Sequence, residues 1–208
     1  MRVTLRDLVV VRLGVIVNLV IGQIVAALVL PLYLDAVGTI LVAALVGPIA
    51  AIATGLTSQV LMAVLSGNFT WLPFGVIQVL IAVYAWLAAR AGVFRRVWTA
   101  APAGLLLGFL AGSTAAPIAL TLFGGATAGG VSAVTTALRT IGLPLEVAVR
   151  ISSVGTDLLD KTVAFAIVAV ILRALPDHMA ARFPAHGAAR RRAGAATHRR
   201  TAPGARAA

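Results

Sequence analysis

Residues Pro31–Gly55, PLYLDAVGTILVAALVGPIAAIATG, decide the fold class of this chain. An apolar run ends at Pro31, the mixed segment Leu32-Tyr33-Leu34-Asp35 follows, and a second apolar run then begins that is broken at Gly47-Pro48. Asp35 is the only acid between Asp7 and Glu146. An acid placed where two hydrophobic stretches meet marks a loop at a membrane face with a polar task. Proline lacks the N–H and glycine tolerates unusual backbone angles, so Gly47-Pro48 is a natural helix break. Residues 35–66 are short for two full spans; two tilted or short helices fit, and so does one long kinked helix.

Composition outside this stretch points the same way. The chain has 208 residues, 61% hydrophobic and 11% charged, with a mean hydropathy of +1.04. A soluble domain carries far more charge, so the sequence reads as an all-α membrane protein. The net charge of +11 invites a nucleic-acid reading. However, Arg173, Arg182, Arg190, Arg191, Arg192, Arg199, Arg200 and Arg206 lie in or just before the C-terminal tail, with no stacking aromatics among them. The basicity therefore belongs to an appendage, and no nucleic-acid partner is expected. The absence of cysteine excludes disulfides, zinc–thiolate sites and iron–sulfur clusters. The N-terminus has no small-residue cleavage site after a short apolar core and is expected to stay in the mature chain.

A spanning helix needs about 20 apolar residues. Candidate spans cover residues 8–30, two within 35–66, then 74–91, 100–123 and 151–175. A turn-like 67–73, a glycine-rich 124–130 and a less hydrophobic 131–150 lie between them. Arg2 and Arg6 precede the first span, Arg90, Arg95 and Arg96 follow the fourth, and the arginine tail follows the last. Six transmembrane helices put all three basic clusters on one side, with both termini cytoplasmic; five would separate them. Residues 1–175 thus form a six-helix transmembrane domain. Residues 176–208 form a basic tail expected to be disordered, because so few large apolar residues cannot offset ordering entropy. The tail either holds anionic lipid or simply fixes topology. His178, His186 and His198 within it have no metal-ligand spacing.

Two stripes of small residues, Gly14, Asn18, Gly22 and Ala26 in the first span and Gly104, Gly108, Gly112 and Ala116 in the fifth, each lie along one helical face. They serve either internal helix packing or docking of a partner subunit. Asn18 favours a partner, because a polar group in lipid seeks a hydrogen bond.

Ionisable residues inside a span are expensive and point to function. Asp157 and Lys161 are four apart and pair on one face, with Asp160 beside Lys161. With Leu175 at the inner edge, Lys161 lies about 21 Å and Asp157 about 27 Å above it, in the outer part of the membrane with Tyr33 and Asp35. Glu146 and Arg150, also four apart, precede them. Two readings stand: a buried ion-pair network stapling the last helix, or an outward pocket over which Asn68, Phe69, Trp71, Tyr33 and Asp35 close. Trp71 reads equally as an interfacial anchor. Gln78, Tyr84 and Trp86 are weaker candidates. Acids plus one lysine suit a zwitterionic or polar heterocyclic ligand. No HExxH, GxSxG, P-loop or paired-carboxylate site supports catalysis, and GGATAGG at 124–130 lacks dinucleotide spacing. No enzyme activity, cofactor or metal is expected.

Over Leu30–Gly55, LPLYLDAVGTILVAALVGPIAAIATG resembles the first loop and second helix of the substrate-binding S components of energy-coupling factor (ECF) transporters. SVGTDLLDKTVAFAIVAVILRAL, residues 153–175, resembles their last helix, and the likeness covers most of residues 8–175. The resemblance implies a bacterial cell (inner) membrane protein, multi-pass, that captures a vitamin, vitamin precursor or similar small molecule near the outer face. It implies a transmembrane coupling subunit and two cytoplasmic ATPase subunits as partners, and a toppling motion for release. The family's Ala-x-x-x-Ala contact with the coupling subunit falls on Gly22 and Ala26, glycine replacing the first alanine. Family substrate contacts map to Tyr33, Asp35, Asn68, Trp71, Asp157, Asp160 and Lys161. Two other roles compete: a membrane sensor or scaffold acting through the basic tail, and a stand-alone secondary carrier. The lack of an internal repeat disfavours the carrier.

Overall fold

The computed structural model describes residues 5–126 and 130–176. Among them there is no strand. Seven α-helices follow in order: α1 (Leu5–Ala27), α2 (Val37–Leu45), α3 (Pro48–Ser66), α4 (Gly75–Arg90), α5 (Val97–Phe123), α6 (Val131–Thr140) and α7 (Leu145–Ala174), with short 3-10 turns at Phe69–Phe74 and Val93–Arg95. Four segments, Leu5–Ala27, Pro48–Ser66, Phe69–Arg90 and Val97–Phe123, are long and apolar enough to cross a membrane, and they mark a membrane-embedded protein. The basic tail expected from residue 176 lies, but for that residue, outside the described residues, as does part of the glycine-rich segment.

Two of the expected spans differ in kind from these four. Of the two expected within 35–66, α3 is full length, but α2 has only nine residues, about 13 Å of helix. It is short because it sits inside the bundle: eight of its nine residues are buried. Hydrophobicity on every side of a helix signals burial within protein as readily as contact with lipid. The last expected span is the lower part of α7, a 30-residue helix. Asp157, Asp160, Lys161 and Arg173 in this half of α7 keep it out of the uniformly apolar set.

Helix directions follow from which residues meet. A Cβ on Gly14 would strike Val42 at 2.6 Å and Thr54 at 3.0 Å. Asn18 bonds Thr39 and Ser58, and Gly22 faces Asp35 and Met62. Residues of α2 thus fall as residues of α1 rise, so the two are antiparallel, while α3 runs parallel to α1. The turn between α2 and α3 is the Gly47-Pro48 break, with proline in the first helical turn, where its missing N–H costs nothing. The α1–α2 crossing is tight enough that any side chain on Gly38 would occupy the backbone of Gly14.

The second half is built on α5 and α7. A Cβ on Gly104 would meet the carbonyl of Lys161 at 2.6 Å, one on Gly108 that of Asp157, and one on Gly112 the Cα of Val154 at 2.5 Å. The glycine stripe of α5 therefore lets α7 lie backbone against backbone, antiparallel, as small residues do between membrane helices. The first stripe also turns inward: Gly14, Asn18 and Gly22 are buried against α2 and α3, and only Ala26 is exposed. Asn18 finds its partners inside the chain, which removes it and Gly22 from any outward docking face. The exposed face of α1 is instead Leu13, Ile16, Val20 and Ile24.

Candidate functional site

The site begins with a mismatch of helix lengths. Because α2 starts at the level of Gly22 rather than at the top of α1, the connection 28–36 must descend into the bundle. It does so with two non-glycine residues in the left-handed region, Val29 (φ 52°) and Leu34 (φ 47°), a conformation that costs energy unless held by its surroundings. Asp160 of α7 holds it. Its Oδ1 accepts the backbone N–H of Tyr33 at 2.9 Å and of Leu34 at 2.6 Å.

The other Asp160 oxygen accepts from Lys161 Nζ. Lys161 also pairs with Asp157 Oδ1 at 3.2 Å, and its ammonium lies 6.0 Å from the centre of the Tyr33 ring. These side chains are removed from water: relative exposure is 4% for Asp157, 0% for Asp160 and 2% for Lys161. Buried charges persist only when paired and hydrogen-bonded, and among the described residues no buried side-chain polar atom lacks a partner.

A second closure comes from the 3-10 turn at Phe69–Phe74. Trp71 is buried, its carbonyl accepts from Gln59 Nε2 at 2.7 Å, and its ring meets that of Tyr33 edge-on at 6.1 Å. Asn68 caps the turn, its Oδ1 accepting from the Thr70 N–H at 3.1 Å and the Thr70 hydroxyl at 2.6 Å. Between loop, turn and α7 lies a partly open pocket, lined by Tyr33, Asp35, Gln59, Trp71, Phe74, Ile77, Gln78, Ile81, Asp157 and Lys161. Gln78 Nε2 donates to Asp35 Oδ2 at 3.4 Å, and its Oε1 accepts from Thr39, which links the cavity floor to the Asn18 network. Desolvation in this setting pushes the Asp35 carboxyl above its ordinary range, with the Lys161 ammonium pulling against it.

Of the seven residues singled out as substrate contacts, Tyr33, Asp35, Trp71, Asp157 and Lys161 line the cavity. Asp160 does not: its oxygens go to the loop amides and to Lys161, so it fastens the lid from behind. Nor does Asn68, whose side chain shapes the turn that carries Trp71. Gln59, Phe74, Ile77 and Ile81 join the lining without having been singled out, and Gln78 does so from among the weaker candidates. Tyr84 donates to the Ala103 carbonyl at 3.0 Å, and Trp86 lies under Arg90 at 4.9 Å; both stand apart from the cavity. Glu146 and Arg150 pair with each other on the surface.

The lining has a polar side, with carboxylates, amides and an ammonium, and an apolar side of Trp71, Phe74, Ile77 and Ile81. That combination of polar and apolar lining is what small-molecule sites present. Among the described residues no three His, Cys, Asp or Glu side chains are placed so that they could hold one metal ion. Comparison with protein-family models, with curated proteins and with solved structures returns no match for this chain.

Proposed function

We propose that this chain is the substrate-capture subunit of an ECF-type uptake transporter, binding a vitamin, vitamin precursor or similar small molecule. The observation that carries the reading is the amphiphilic pocket beneath the 28–36 loop, inside a bundle of apolar helices. In this reading six passes are made by α1, α2, α3, α4, α5 and α7, alternating in direction, with α2 making its pass inside the protein. Arg6, Arg90, Arg95, Arg96 and Arg173 gather at the end opposite the cavity, which favours that end, and both termini, in the cytoplasm. The cavity then opens toward the outside.

Release into the cell needs energy from elsewhere, so the partners proposed are a transmembrane coupling subunit and two cytoplasmic ATPases. With the α1 stripe turned inward, the surface left for the coupling subunit is Ala26 together with the exposed aliphatic face of α1. The test is mass spectrometry of small molecules released from the detergent-purified full chain, with binding measured against a panel of vitamins, nucleobases and cofactor precursors. The expected result is a bound molecule at near-stoichiometric level. A protein that stays folded but retains nothing and binds no panel member overturns the reading.

A further inference from the structure

The cavity and the side chains packed directly behind it bring together three carboxylates, of Asp35, Asp157 and Asp160, and one ammonium, of Lys161. Among the described residues no other lysine or arginine borders the cavity. Lys161 cannot serve as an anion receptor, because it is wedged between two carboxylates and against the Tyr33 ring. Asp160 has no capacity left either, with one oxygen on two backbone amides and the other on Lys161. The carboxyl groups still facing the cavity are therefore those of Asp35 and Asp157. Among the described residues the side chain that bonds Asp35 is Gln78, at a long 3.4 Å, and Asp157 gives one oxygen to Lys161.

Two carboxyl groups facing one small space disfavour each other's ionisation, and a positive charge entering it favours both charged forms. The opposite wall, Trp71, Phe74, Ile77 and Ile81, offers flat and branched apolar surface. A bare inorganic ion would leave that wall without a contact.

We propose that the cavity is built for an organic cation, an amine or a positively charged ring nitrogen on a flat apolar body, with its charge between Asp35 and Asp157 and its body against Trp71 and Phe74. This rests on the capture reading above and sharpens it: a zwitterion or an anion would bring a negative group to a site whose single ammonium is already neutralised. Aromatic side chains favour such a ligand, since a ring face attracts a cation and stacks on a planar group.

The experiment uses the full chain in detergent and two readouts. The first is the charge at neutral pH of whatever small molecule co-purifies. The second is binding of matched probes sharing one ring but differing in charge: tryptamine, the neutral tryptophol and the anion indole-3-acetate. A retained molecule bearing an amine or ring cation is expected, together with binding of tryptamine well above its two counterparts. Asp157→Asn and Asp35→Asn should each weaken cation binding by about 30-fold or more, the usual effect of removing one partner from a buried charge pair. Glu146→Gln, on the surface, should leave it unchanged. Asp35→Asn carries the test alone should Asp157→Asn fail to fold. A retained neutral or acidic molecule, a preference for tryptophol or indole-3-acetate, or unchanged binding in both folded aspartate variants overturns the cation assignment and leaves capture standing. No retained molecule and no binding of any probe or panel member overturns capture itself, and this inference with it.

Discussion

Replacing Asp160 by asparagine tests the central joint of the site. In the native chain its Oδ1 accepts the N–H groups of Tyr33 and Leu34, at 2.9 and 2.6 Å, and its Oδ2 accepts from Lys161. A hydrogen bond to a charged group contributes about 1.5–3 kcal/mol, against about 0.5–1.5 for a neutral pair. Two bonds that lose their charge therefore cost about 2 kcal/mol together. Lys161 loses one carboxylate but keeps Asp157, so the ion-pair loss is smaller than the 3–5 kcal/mol of an orphaned buried charge. About 3 kcal/mol in total is expected, or roughly 6–12 °C in the melting temperature of a chain this size. The loop should report the change locally: amide exchange at Tyr33 and Leu34 should speed up, while the α5–α7 contact stays protected. The assay is thermal unfolding in detergent, paired with hydrogen exchange resolved to the 28–36 segment. A melting temperature within about 1 °C of wild type, with unchanged exchange at those two amides, would refute the role given to Asp160.

Other perturbations probe different parts of the molecule. Gly108→Val places a branched side chain against the α7 backbone at Asp157 and should cost about 3 kcal/mol or more, since backbone cannot yield as a side-chain tip can; Gly155→Ala, with nothing within 4 Å of its would-be Cβ, should gain about 0.5–1 kcal/mol of helix propensity. Thermal unfolding of the two variants side by side checks both signs. Asn18→Leu leaves the Gly38 N–H without its acceptor and cuts the contacts to Thr39 and Ser58, for an expected loss of about 2–4 kcal/mol. Asp35 tests linkage. Its raised pKa means that the folded chain holds this proton more tightly than the unfolded one, so the stability it lends is present at low pH and lost as pH rises through the folded value. Asp35→Asn should therefore melt higher than wild type at alkaline pH, with the gap closing as pH falls toward the ordinary carboxylate range.

How much of this was legible in the sequence depended on whether a residue's neighbours lie in its own segment. The Gly47-Pro48 break and the apolar runs of α1, α3, α4 and α5 are local features, and the helices follow them. The same hydropathy hides the character of α2, since a helix in lipid and a helix buried inside a bundle are equally apolar. The glycine stripes of α1 and α5 were visible as faces, but spacing says nothing of what a face meets; both turned out to meet other helices of the same chain. Asn68 looked like a loop residue free to bind, although Thr70 two positions on offers the short-range turn that asparagine commonly makes. Gln59 was an overlooked signal: an amide inside an apolar span needs a partner, and its partner is the Trp71 carbonyl. Phe74, Ile77 and Ile81 gave none, because an apolar cavity wall is indistinguishable from core.

The sequence left two readings of the α7 charges, a staple or a pocket, and the structure divides them within little more than one helical turn. Asp160 fastens the strained 28–36 loop, Asp157 faces the cavity, and Lys161 lies between them with a bond to each. Spacing alone could not make this division, because it depends on where the loop descends, and that depends on α2 being short and buried. The division has an energetic consequence. Lys161 shares its charge between the lid's anchor and the cavity wall, so a cation bound at Asp157 as proposed would compete for Oδ1 and leave Lys161 more fully to Asp160, the residue that holds the lid. Occupancy and closure would then be coupled through one ammonium. The neutral isostere Lys161→Met removes that link while keeping the bulk. In wild type, tryptamine binding should slow amide exchange at Tyr33 and Leu34; in the variant tryptamine should still find Asp157, yet without that slowing. Persistence of that slowing in the Lys161→Met protein would show that the lid closes on the ligand directly, without the lysine.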